Sequence, residues 1–115
     1  MSEREIQAAI LAELGADPRW RLWRQNSGQA WQGVRMPEST ADRLVLLHPR
    51  PIRFGLPGMA DIGGLLSTGQ RVEIEVKAEH GRQSQDQLDF ETMIRKFGAR
   101  YILARSVEDV LAGLC

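Results

Sequence analysis

The sequence contains 115 residues, of which 43% are hydrophobic and 26% charged, a composition typical of one globular domain with a modest core. No stretch is long and apolar enough to span a membrane, and the N-terminus lacks the apolar segment of a signal peptide. The single cysteine, Cys115, cannot form an internal disulfide. We therefore expect one cytoplasmic domain covering residues 1–115, without a membrane partner.

Charge is distributed unevenly along the chain, although the formal net charge is zero. Between Arg19 and Arg53 there are seven arginines against Glu38 and Asp42, which gives a local charge of 7 − 2 = +5. Arginine forms forked contacts with phosphate groups, so this segment favours a nucleic-acid partner. A GC-rich genome is the alternative explanation for an excess of arginine.

Capping motifs and hydrophobic stripes predict three helices. Ser2-x-x-Glu5 is a capping box that opens a helix over residues 3–14. Ser84-x-x-Gln87 is a second capping box, which gives Gln87 a structural role of its own. Ser106 precedes the last helix. The apolar side of the second helix is predicted to carry Phe90, Met93, Ile94 and Phe97.

Strands are predicted at Trp20–Arg24 and at Arg100–Ala104, and the second of these is apolar enough to be expected in the centre of a sheet. Residues 29–53 are the least regular part of the chain. A strand over 43–47 is predicted there, within a loop or small hairpin whose arginines suit a DNA-facing rim. The three tryptophans suit either base stacking or, for at least two of them, burial in the core: Trp20, Trp23 and Trp31.

A β-hairpin is predicted between Asp61 and Lys77. Residues 61–66 form its first strand, and residues 71–77 alternate between apolar and charged side chains, which is typical of a second strand. A turn about Thr68-Gly69 would bring Asp61 beside Glu75 and Val76. The order helix, strand, variable segment, hairpin, helix, strand, helix predicts an α/β fold with a mixed central β-sheet flanked by helices.

The end of this hairpin has the composition of a divalent-metal site. Asp61 and Glu75 would bind Mg²⁺ or Mn²⁺ together with the backbone carbonyl of Val76 and water. Lys77 shares a strand face with Glu75 and could orient water or stabilise negative charge during phosphodiester hydrolysis. The alternative for a Glu-x-Lys string is a solvated strand edge with a local ion pair.

A family resemblance rests on three motifs: Gly58-x-x-Asp61, Glu75-x-Lys77 and Gln87-x-x-Phe90. Together they resemble the virus-type replication-repair nuclease (VRR-Nuc) domain of the PD-(D/E)xK superfamily. The resemblance extends from the Arg24–Gly28 segment to the C-terminal helix. It implies a restriction-endonuclease-like core and a catalytic set of Asp61, Glu75, Lys77 and Gln87. It also implies Glu3 as a further candidate metal ligand, and DNA contacts through Arg24, Asn26, Ser27 and Gly58.

Stand-alone members of that family are phage-type homodimers that cut branched DNA. The resemblance therefore implies a Mg²⁺- or Mn²⁺-dependent endodeoxyribonuclease, a homodimeric Holliday (four-way) junction resolvase, in a bacterial or phage-infected cell. One alternative is a nuclease that cuts flaps or forks, and another is a catalytically idle module that binds branched DNA on the same fold. A restriction enzyme would need additional sequence for base readout, for which 115 residues leave little room.

Overall fold

The computed structural model describes residues 1–25 and 28–115, and within them the elements follow the order predicted from the sequence. None of the helices in these ranges is long and apolar enough to cross a membrane. The helices are α1 (Glu3–Leu14), α2 (Gln85–Lys96) and α3 (Val107–Leu114). The strands are β1 (Trp20–Arg24), β2 (Gly28–Arg35), β3 (Leu46–Phe54), β4 (Ile62–Leu66), β5 (Arg71–Val76) and β6 (Arg100–Ala104).

A four-stranded mixed sheet organises the fold, in the strand order β1-β4-β5-β6. β4 pairs antiparallel with β1 and β5, whereas β5 and β6 are parallel. The predicted hairpin is confirmed, and its turn is closed by a 2.9 Å hydrogen bond from the N–H of Gly69 to the carbonyl of Leu66. The prediction that Arg100–Ala104 is central is wrong. This strand lies at the sheet edge, where α2 and α3 pack on it and Tyr101 and Ile102 are buried without a second strand.

One face of the sheet packs against α1 and α3 to form the main core. Val72, Ile74 and Val76 of β5 are fully buried there, together with Ile10 and Val110 of the two helices. The predicted capping box at the start of α1 is present, since Ser2 and Glu5 bond each other's backbone N–H groups. This core fixes the register of β5, and the register in turn decides which of its side chains reach the opposite face.

The opposite face is covered only in part, by α2. Phe90 of this helix and Tyr101 of β6 are buried in a smaller cluster. The prediction that Phe97 joins the apolar side is wrong, because 79% of this residue is exposed. The helix ends at Lys96, so Phe97 is its C-cap and does not continue the apolar side. Gly98, the next residue, has a φ of 88°, which is typical of a helix end.

β2 and β3 form a separate two-stranded ribbon. A hairpin is present where a loop or a small hairpin was expected, but the predicted strand over 43–47 is wrong: β3 begins at Leu46 and continues through Pro49 and Pro51. Prolines are tolerated because each strand of a two-stranded ribbon has an open edge. The register shifts opposite Gln32–Val34, where His48 has a positive φ of 52°, as expected for a β-bulge. The ribbon elongates the molecule, whose radius of gyration is 16.9 Å against roughly 13 Å for a compact chain of this length.

Candidate active site

A backbone hydrogen bond fixes Asp61 at the open end of the β4–β5 hairpin. Its Oδ2 accepts from the N–H of Val76 at 2.9 Å. The register that pairs Ile62 with Ile74 also places Asp61 opposite Glu75, on the face away from the main core. A one-residue slip would move Asp61 to the other face. The hairpin therefore brings Asp61, Glu75 and Val76 together, as its sequence predicts.

The Glu75 carboxylate lies in a closed environment, and only 2% of the residue is exposed. Oε1 accepts a hydrogen bond from Nε2 of Gln87 at 3.1 Å and lies 3.6 Å from Nζ of Lys77. Oε2 is buried and has no hydrogen-bond partner among the described residues. An ionised carboxylate oxygen that is buried without a donor costs folding free energy. Oε2 of Glu75 is therefore a position at which a cation could bind.

The charged face of β5 is largely buried. Glu73 is 2% exposed and Lys77, which follows the strand, is 9% exposed, so the solvated strand edge given as the alternative is wrong, although the local ion pair that belonged to it is present between Glu75 and Lys77. The first turn of α2 and the side chain of Gln25 supply hydrogen-bond partners to this face. Three charged groups on one covered strand face carry a large desolvation cost, which favours a functional reason for their presence.

Burial raises the pKa of Glu75 to about 8, and the negative charge of Asp61 acts in the same direction. The positive charge of Lys77 opposes this rise but does not cancel it. Two carboxyl groups at one site resist being ionised together, and Glu75 therefore keeps its proton near neutral pH. A divalent cation replaces such a proton and allows both carboxylates to be charged.

We expect the metal-free protein to lose stability as the pH rises from about 4.5 to about 8. Because the pKa of Glu75 is raised from 4.5 to about 8 on folding, the folded state retains a proton that the unfolded state releases. The free energy of unfolding therefore falls across this window, by at most about 1.4 kcal/mol per pH unit. Urea unfolding in EDTA at several pH values measures this slope.

The matched variant for this measurement is Glu75→Gln, which keeps the shape of the side chain and removes its titration. Its unfolding free energy is expected to vary less with pH between 4.5 and 8 than that of the wild type. Identical pH profiles for the two proteins would show that Glu75 does not carry the proton.

Gln87 caps α2 and also contacts Glu75. Its Oε1 accepts from the N–H of Ser84 at 2.8 Å, which completes the capping box, while its Nε2 donates to Glu75. Gly58 explains how the start of α2 comes so close to the hairpin. A Cβ built on Gly58, whose φ is +73°, would lie 2.1 Å from the carbonyl oxygen of Asp86. Gly58 thus allows α2 to pack closely on the segment before the hairpin. The sequence suggested a DNA contact for Gly58 and did not suggest this packing role.

Gln25 is the residue that the sequence pattern missed. Its N–H donates to the carbonyl of Asp61 at 2.9 Å, and its Nε2 donates to the carbonyl of Ala60 and to Oε2 of Glu73. Arg71 completes the network with bonds to Gln25 and Glu73. A side chain at Gly63 would collide with this network, because its Cβ would lie 2.6 Å from both Gln25 and Arg71. Gln25 is therefore a second support of Asp61.

The other predicted site residues are distributed less closely. Glu3 lies beside the loop after β5, where its Oε1 and Cδ of Lys77 are both 3.4 Å from a Cβ built on Gly81. Arg24 is exposed at the end of β1 and has the register position of the α1 face, opposite to the face of Glu75. Asn26 and Ser27 lie outside the described residues.

A cleft of about 440 Å³ opens beside Asp61. Asp61 and the segment 54–59 line it on one side, and the first turn of α2, with Ser84, Asp86 and Gln87, lines it on another. The remaining wall comes from the ribbon, through Gln29 and Arg53. The cleft is therefore shared between the sheet domain and the ribbon, the segment whose arginines the sequence suggested for a rim.

The donor set fits a hard divalent cation such as Mg²⁺ or Mn²⁺, which is bound through one or two carboxylates and several waters. Asp61 and Glu75 supply the carboxylates. The carbonyl of Val76 points to the same side of β5 as the N–H that Asp61 binds, because both groups of a strand residue face the same neighbour. Within residues 1–25 and 28–115, no three Asp, Glu, His or Cys side chains are grouped closely enough to hold a metal by themselves.

Comparison with known proteins supplies no family for the chain. No protein-family model matches it, and no curated protein matches it closely enough to be identified as a relative.

Proposed function

We propose that this protein is a Mg²⁺- or Mn²⁺-dependent endonuclease that hydrolyses phosphodiester bonds in branched DNA. The observation that carries this proposal is the meeting of Asp61 and Glu75 at the end of the hairpin, with Oε2 of Glu75 buried and without a partner among the described residues. Lys77 beside Glu75 and the open cleft that Asp61 lines supply the other groups that hydrolysis of a phosphodiester requires.

A cation bound by Asp61 and Glu75 would neutralise charge on the phosphate and make a water molecule more acidic. Lys77 is held 3.6 Å from Oε1 of Glu75, so its ammonium group is available at the edge of the carboxylate pair. From there it can orient a water molecule or stabilise negative charge as the phosphate is attacked. Gln87 holds Glu75 in a fixed orientation through its 3.1 Å hydrogen bond.

We extend the proposal to a homodimeric four-way-junction resolvase of the VRR-Nuc type, acting in a bacterial or phage-infected cell. The motifs Gly58-x-x-Asp61, Glu75-x-Lys77 and Gln87-x-x-Phe90 support the family. Each chain contributes one such carboxylate pair, and two symmetric cuts across a junction require two of them. The local excess of arginine between Arg19 and Arg53 favours backbone contacts, which carry no base specificity.

The experiment is a cleavage panel of labelled four-way junctions, flaps, forks and plain duplex with Mg²⁺ or Mn²⁺. We expect the wild type to cut the junction best. Asp61→Asn is expected to cut at least about 100-fold more slowly, because half of the carboxylate pair is lost. It should still bind DNA, since a negative charge that faces phosphate has been removed.

Asp86→Asn is the matched control, because Asp86 also lines the cleft but has no part in the carboxylate pair. It is expected to cut at nearly the wild-type rate. Equal cleavage by the Asp61 and Asp86 variants would refute the nuclease proposal. A strict monomer in analytical ultracentrifugation that leaves four-way junctions intact and cuts flaps would refute only the resolvase part.

A further inference from the structure

One face of the β2–β3 ribbon continues directly from the cleft. Gln29 pairs with Arg53, and both line the cleft beside Asp61. Trp31 pairs with Pro51, two residues further along each strand. Because side chains alternate between the faces of a ribbon, these four residues share one face, which we call the cleft face of the ribbon.

The cleft face presents two groups that are available to a ligand. Trp31 is 60% exposed, although tryptophan is usually buried for much of its surface. Trp20, in contrast, is buried in the core, and Trp23 is half-buried beneath the guanidinium of Arg71 at 4.9 Å. Arg53 is exposed and forms no ion pair with the described residues. An aromatic ring and an unpaired guanidinium therefore stand diagonally adjacent, roughly 7–8 Å apart at the backbone.

We propose that the cleft face holds a DNA strand with an unpaired nucleotide next to the carboxylates, with Arg53 on a phosphate and Trp31 stacked on the base. This inference rests on the proposed function, for which it names the substrate contact. Aromatic side chains stack on any exposed base, and cationic residues beside them follow the backbone. A base inside a continuous duplex is already stacked on its neighbours and offers no free face, so Trp31 selects bases at branches and ends.

The opposite face of the ribbon carries residues that can serve as comparisons for Trp31 and Arg53. Val34 of β2 lies three residues after Trp31 and is 59% exposed, but it points to the other face. Arg50 also lies on that face, and its Nη2 donates to Gln32 at 2.9 Å. Trp31 and Val34 are thus almost equally exposed on opposite faces of the ribbon, and Arg53 and Arg50 also lie on opposite faces.

The test measures DNA affinity in EDTA, so that no cleavage takes place. Two probes are used, a duplex with a short single-stranded tail and the same duplex fully paired, both followed by fluorescence anisotropy. Trp31→Ala is expected to weaken binding of the tailed probe by about tenfold or more, which corresponds to the stacking free energy of one base. Its affinity for the paired probe should stay unchanged. Trp31→Phe should restore most of the loss, because it keeps an aromatic face.

Arg53→Gln is expected to weaken both probes alike and to reduce the slope of log affinity against log salt by about one. Val34→Ala and Arg50→Gln are the matched controls, and both should bind like the wild type. The proposal is overturned if Trp31→Ala binds the tailed probe like the wild type, or if Val34→Ala loses as much. It is also overturned if Trp31→Ala converts a dimer into a monomer, because the cleft face would then be covered by a second copy of the chain.

The outcomes for the two proposals can be told apart. A wild type that cuts DNA while Trp31→Ala and Arg53→Gln bind normally leaves the nuclease standing and removes the strand-holding face. A wild type that cuts nothing, with tailed-probe binding lost in Trp31→Ala, removes the nuclease and supports the face as a DNA-binding surface.

Discussion

Lys77→Ala is expected to lower the rate of DNA cleavage by about 1000-fold and to leave DNA binding largely unchanged. Nζ of Lys77 is the only ammonium group near the carboxylate pair among the described residues, 3.6 Å from Oε1 of Glu75. Its removal takes away the group that stabilises developing charge, and it also removes the positive charge that counteracts the rise in the pKa of Glu75. Single-turnover cleavage of a labelled junction measures this loss.

Folding should survive this substitution. Lys77 is only 9% exposed, but it lies on the charged face of the strand, away from the main core. We therefore expect the free energy of unfolding to fall by about 1 kcal/mol, which is typical of a single substitution. Lys96→Ala is the matched control, because Lys96 is the other lysine of the chain and is exposed at the end of α2. Cleavage by Lys77→Ala at the rate of Lys96→Ala would exclude lysine from the mechanism.

Gly58→Ala is expected to have the largest effect on stability, about 3 kcal/mol or more, together with loss of cleavage. The new Cβ would lie 2.1 Å from the carbonyl oxygen of Asp86, where the backbone of α2 cannot yield without moving the helix. Such a movement pulls Gln87 away from Glu75 and breaks their 3.1 Å hydrogen bond. Thermal unfolding and the cleavage assay measure the two consequences separately.

Gly69→Ala isolates the cause of this effect. Gly69 has a positive φ of 89°, similar to that of Gly58, but nothing lies within 4 Å of its Cβ position. Gly69→Ala should therefore lower the free energy of unfolding by only about 1–2 kcal/mol, because alanine is strained in a left-handed conformation. If the two variants were equally stable and equally active, close packing of Gly58 on α2 would have no role in the site.

Local patterns allowed much of the fold to be predicted. The alternation of Val72, Ile74 and Val76 with charged residues specifies a strand, and the turn before it specifies the hairpin that carries Asp61 to Glu75. The two capping boxes are visible because their partners are only three residues apart. In each case, the interaction that decides the structure is short in sequence.

Features that depend on distant contacts could not be predicted in the same way. Gln25 donates a hydrogen bond to Asp61, which lies 36 positions further along the chain, and no local sequence pattern near Gln25 predicts this contact. The edge position of β6 depends on how α2 and α3 cover it, and not on its own apolar residues. The cleft wall formed by Arg53 depends on the docking of the ribbon, whose bulge at His48 and prolines at 49 and 51 obscure its period of two.

A calorimetric titration of the metal-free protein with Mn²⁺ near pH 7, in two buffers of different ionisation enthalpy, tests the central claim most directly. If Asp61 and Glu75 share one cation, a single site per chain will bind Mn²⁺ and release close to one proton, because the pKa of Glu75 is about 8 before binding. The affinity will rise as the pH approaches 8, and Asp61→Asn and Glu75→Gln will each abolish it. Binding that is absent in the wild type, or that persists unchanged in both variants, would contradict a cation site at this pair.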